Sequence, residues 1–146
     1  MSLLQVITQD LVNKIGAIGA FGGNVSATLG GTEADPTMAN LPLPFAWVLF
    51  TSSQTNSQDR ERWSQIRHNF SVYVNLAYGK GETDFVEQQL TLIENVGKAV
   101  TGTKVDALGN RPQLWSFDGL SVYDVEPTVI RYELTFSIPV FYTQSL

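Results

Sequence analysis

From Val129 to Tyr142 the chain follows a period of two. Ile130, Tyr132, Leu134, Phe136, Ile138, Val140 and Tyr142 share one parity; Val129, Arg131, Glu133, Thr135, Ser137 and Pro139 share the other. Successive side chains of an extended strand point to opposite faces. Seven consecutive matches therefore require a long strand with one buried face and one wet or interfacial face. Pro139 has no N–H to give to a ladder, so its end of the strand is expected at a sheet edge or a bulge. An apolar sheet face must in turn be covered by another layer.

The rest of the chain supplies both the sheet and its cover. Phe70, Val72, Val74, Leu76 and Tyr78 alternate with Ser71, Tyr73, Asn75 and Ala77, a second amphipathic strand. Phe45–Phe50 is a short apolar run between Pro44 and the polar Thr51–Ser53, which suits a buried strand. Leu120–Val125 reads as a strand turned at Glu126–Pro127. Residues 3–18 place Leu4, Ile7, Leu11, Ile15 and Ile18 on one helical stripe, with Gln5, Gln9 and Asn13 opposite. A second helix is expected from about Phe85 to Val100, with Asp84 as N-cap, Glu87 as its capping-box partner and Gly102 as terminator. Residues 103–119, with Pro112, Trp115 and Phe117, read as a turn-rich connection. This order predicts an α+β two-layer fold: a largely antiparallel, mixed sheet of about four strands packed by two helices, with a long hairpin arm. At 146 residues the chain is expected to form a single domain, 1–146.

Two segments interrupt that pattern. Residues 19–44 are rich in Gly and Pro and hold only Glu33 and Asp35 as charges. They read as an ordered extended segment or a long loop, with a short strand around Asn24–Leu29, packed against a neighbour. Residues 53–67 form a polar arm with the dense cluster Asp59-Arg60-Glu61-Arg62-Trp63. Arg and Trp are enriched in interface hot spots. Arg60, Arg62, Trp63, Ile66, Arg67 and His68 are therefore the expected assembly interface.

Charge narrows the function. Charged residues make up 16% of the chain, against about 25% in ordinary soluble domains, which points to surface covered by other subunits. The net charge of −5 disfavours general nucleic-acid binding. The longest apolar run is far short of the roughly 20 residues that span a membrane, and the N-terminus has neither the basic start nor the apolar core of a secretory signal. No cofactor, metal or catalytic residue is expected. There is no cysteine and one histidine, His68, which reads as a surface or subunit-contact residue, and no GxSxG elbow surrounds any serine. Gly16, Gly19 and Gly22 do not make a GxGxxG motif, and Gly79-Lys80-Gly81 is a turn. The carboxylate pairs Glu82/Asp84 and Asp124/Glu126 have local roles, in a cap and a turn.

The order of elements resembles the tail terminator, or tail-completion, proteins of long-tailed bacteriophages, particularly the small Gp37-type tail proteins of Mu-like phages. The resemblance is carried by the N-terminal helix, the Pro-preceded strand Leu43–Leu49 and the arm ending in Arg67-His68-Asn69-Phe70-Ser71-Val72-Tyr73-Val74. The single helix around Leu90–Val100 and the closing strand Val129–Phe136 complete it. It implies a homo-oligomeric ring, a hexamer, that caps the head-proximal end of the tail tube, stops tube growth and offers the head-joining surface. The implied partners are the tail tube protein and a head-completion or connector protein, with DNA passing through without specific binding. The implied location is the virion neck, after synthesis in the host cytoplasm. Another neck, connector or tube subunit is the alternative, and a small-molecule binding module a further one.

Overall fold

The computed structural model describes residues 2–28, 43–55, 63–77, 83–108 and 113–143. The chain opens with helix α1 (Leu3–Gly16) and reaches a short first strand, β1 (Val25–Thr28), through a 3-10 turn at Gly19–Phe21. The long strands β2 (Phe45–Thr55) and β3 (Trp63–Ala77) follow. Helix α2 (Thr83–Val100) precedes the closing strands β4 (Ser116–Val125) and β5 (Val129–Thr143). The sheet order is β1-β2-β3-β5-β4. β1 runs parallel to β2 and every other pairing is antiparallel. The fold is thus α+β with a mixed sheet, and β1 brings the strand number to five.

Local chemistry explains each boundary. Ser2 caps α1: its Oγ accepts from the Gln5 N–H at 3.2 Å while the Gln5 side chain accepts from the Ser2 N–H at 2.7 Å, the reciprocal capping box. α2 begins at Thr83, so Asp84 lies inside its first turn rather than at the cap as expected. Gly102 ends α2 with φ +74°, a conformation that costs glycine little. Its N–H donates to the Trp115 carbonyl at 2.9 Å.

The α1 stripe buries Ile7, Leu11 and Ile15, and α2 buries Leu92, Ile93, Val96 and Val100. Both pack on the even-numbered face of the two central strands, where Phe70, Val72, Val74, Leu134, Phe136 and Ile138 are all at most 1% exposed. The expected parity of the closing strand holds through Leu134, Phe136, Ile138 and Val140. Pro139 does lie beside an open edge: β4 stops at Ser116, paired with Ser137, so on that side β5 continues beyond its partner.

In the hairpin arm 53–67 the described residues are strand, and one expectation beyond it is corrected. Ser53–Thr55 pairs with Ile66–His68, and Trp63–His68 pairs with Ile138–Thr143, so three strands continue into it; 56–62 lies outside the described residues. Trp115 does not sit in a loose connection but is 1% exposed. Its Nε1 donates to Asp10 Oδ2 at 3.0 Å and its ring meets Phe70 edge-on at 5.4 Å. Asp10 also pairs with Lys14, whose Nζ donates to the Lys104 carbonyl at 2.7 Å. These bonds tie α1 to the entry of β4. Of the segment 19–44, the expected strand is found as β1, with Trp47 Nε1 donating to Thr28 Oγ1 at 3.1 Å; 29–42 lies outside the described residues.

Candidate functional site

Alternation separates the expected interface residues. Ile66 pairs with Thr55 and Val140, and His68 with Ser53 and Ile138, which puts both on the helix-covered face. His68 is 4% exposed, so within the chain it is a buried residue and not a surface one. Its Nδ1 lies 2.7 Å from Ser53 Oγ, and its ring meets Phe50 edge-on at 6.2 Å. Burial holds its pKa below the usual histidine value. Arg67 points to the opposite face, where it donates to Ser137 Oγ at 2.7 Å. Trp63 opens β3 opposite Thr143. Arg60 and Arg62 lie outside the described residues.

On that opposite face the described charges are engaged locally. Glu133 Oε2 accepts from Ser71 Oγ at 2.9 Å and from the Tyr73 hydroxyl at 3.0 Å. Burial, reinforced by the Glu133 bond and charge, pushes the Tyr73 pKa up to about 12. The Tyr73 ring packs edge-on against Tyr123 at 4.8 Å. Arg131, nearly buried, reaches Asp124 at 3.0 Å and Glu126 at 3.3 Å. Among the described residues no three His, Cys, Asp or Glu side chains come together to hold a metal ion. No described helix is long and apolar enough to cross a membrane.

The surface that stands out is the β4 edge. Phe117, Leu120, Val122 and Val125 register with the core-facing residues Phe136, Leu134, Tyr132 and Ile130, yet they are 42%, 50%, 54% and 54% exposed. Leu114 and Tyr123 add to this exposed apolar edge. Beside it a groove of about 400 Å³ opens between α2 and β4. Ile93, Phe117, Leu120 and Leu134 line it, and Glu94 and Lys98 are the charges on its wall. A long, apolar, unpaired edge is a template for association unless something covers it. The sequence offered one signal for it, the apolar residues of 117–125, but not where α2 would lie.

The comparisons with known proteins bear on the fold. Across 92% of its length the chain superposes on 92% of a chain from the virion of a native gene transfer agent particle. The two share one fold. The TM-score is 0.58 and the sequence identity 16%. No protein-family model matches the chain, and no curated protein matches it.

Proposed function

We propose that this chain is a non-enzymatic structural subunit of a phage-like virion. In this reading it is a tail terminator that assembles with copies of itself into a ring at the head-proximal end of the tail. The observation that carries the reading is the fold shared, over nearly the whole of both chains, with a component of a gene transfer agent virion. The β4 edge, unpaired among the described residues, supports self-association, because a subunit built for a ring carries surface that only its neighbour covers. The acidic balance of the chain supports passage of DNA without capture, because like charge repels phosphate; on the opposite face of the sheet Arg131 is paired with Asp124 and Glu126. The ring would contact the tail tube on one side and a head-completion protein on the other.

Native mass by light scattering after size exclusion, with electron microscopy of the same peak, tests this. Closed rings of about six subunits are the expected result. Open filaments would replace the terminator with a tube subunit. A chain that remains monomeric both alone and beside assembled tail tubes would overturn the reading.

A further inference from the structure

The wall of the groove between α2 and β4 carries one acid and one base. Glu94 and Lys98 lie four residues apart, so they share one face of α2. Both are exposed, both line the groove, and neither is in an ion pair among the described residues. A surface with one charge of each sign is complementary to itself. Turned about a two-fold axis that crosses the helix, Glu94 of each copy faces Lys98 of the other. Parallel helices would set Glu94 against Glu94 and Lys98 against Lys98, so charge selects the antiparallel pairing.

The same register accounts for two further features. The axis passes beside position 96, next to Gly97. A Cβ at Gly97 would meet nothing within 4 Å, so the helix surface is low there and a second helix can approach closely. Leu90 is a large apolar side chain that α2 leaves 47% exposed. It lies four residues before Glu94, on the same face. In the antiparallel pair it faces the position four residues after Lys98, which is Gly102 of the second copy. That end of the groove is lined by Thr101 and the exposed Phe117, and Gly102 is held there by its bond to the Trp115 carbonyl. One arrangement brings together the charges, the glycine and an apolar anchor.

We infer that the α2–β4 face binds the same face of a second copy, with the two α2 helices antiparallel and Glu94 of each against Lys98 of the other. A two-fold contact closes at two copies. The pair therefore goes beyond the ring reading, and a ring needs a further contact.

Full-length Glu94→Lys and Lys98→Glu chains test this, with sedimentation equilibrium as the readout and circular dichroism to check the fold. Each variant alone sets like charges together at both ends of the contact, so each is expected to pair about tenfold more weakly than the wild type. An equimolar mixture restores opposite charges at both ends and is expected to pair within about threefold of the wild type. Repulsion within one helix would persist in the mixture, so recovery by the second chain reports the contact itself. Single variants that pair like the wild type, or a mixture that pairs no better than its parts, overturn the proposal. Gly97→Leu adds a side chain where there is open space. It should leave the unfolding midpoint unchanged or higher, as leucine favours helix over glycine, while pairing weakens about tenfold; pairing as tight as the wild type overturns the proposal. A wild-type chain with no two-copy species at any concentration overturns the pair, whatever rings it forms. Pairs that never join into rings, even beside assembled tail tubes, leave the pair standing and overturn the ring.

Discussion

Phe136 and Phe117 sit opposite each other on neighbouring strands, on the same face of one sheet, with ring centroids 5.5 Å apart. One is fully buried and the other is 42% exposed. The same contrast separates Leu134 from its register partner Leu120. Residue type and strand parity are alike within each pair, so neither accounts for the difference. What differs is position in the sheet: β5 has a strand on each side, whereas β4 is the edge strand and leaves a groove between itself and α2. Alternation assigns a residue to a face; burial depends also on how closely neighbours approach from every side.

The largest effect expected from this contrast is on stability. Phe136→Ala should cost about 3–5 kcal/mol and Leu134→Ala about 2–5 kcal/mol in denaturant unfolding, as core truncations do. Leu120→Ala, in the unassembled chain, should cost less than about 1 kcal/mol. Equal costs at Leu134 and Leu120 would break the comparison, since they would mean β4 is already covered. Next in size is Trp115→Phe, which keeps an aromatic ring but removes the bond to Asp10. A loss of about 1–3 kcal/mol is expected, as for hydrogen bonds to charged groups, and a negligible loss would show that β4 is not anchored through this residue.

Titration should give a smaller, pH-dependent difference. The native pKa of His68 is depressed, so the unfolded chain binds more protons and stability falls as pH drops below about 6.5. Tyr73 works in the other direction. Its native pKa of about 12 exceeds the unfolded value of about 10, so stability falls as pH rises above 10. His68→Phe should flatten the acid side relative to the wild type; an unchanged slope would show that His68 is solvated. The smallest effect on folding is expected for Arg60→Ala combined with Trp63→Ala. Assembly should weaken while the unfolding midpoint stays put, and a shifted midpoint would place this pair in the fold rather than the interface.

Much of this architecture was legible in the residues. The period-two runs at 70–78 and 129–142, the α1 stripe and the apolar run at 45–50 each specify an element and its buried side, because side-chain period is a local property. Trp115 was not legible: its anchor, Asp10, is 105 residues away, and a tryptophan in a turn-rich stretch carries no mark of a distant partner. The continuation of strands into the arm was hidden for a related reason. Gln54, Thr55, Ser64 and Gln65 are polar and lack an apolar period, yet β5 extends to Thr143 and supplies ladder partners for β3 throughout. His68 looked like a surface residue beside charged neighbours, but its strand parity sends it inward towards Phe50.

The unbroken pairing of β3 has a mechanical consequence. Its fifteen residues span about 50 Å at roughly 3.3 Å per residue, and all fifteen are laddered to β5. Through the described residues, arm and body therefore share one continuous ladder with no break between β3 and β5. In the proposed ring, a push at the far end of that ladder would tilt the sheet under both helices, so each subunit would feel the seating of its neighbour as leverage on its own interior.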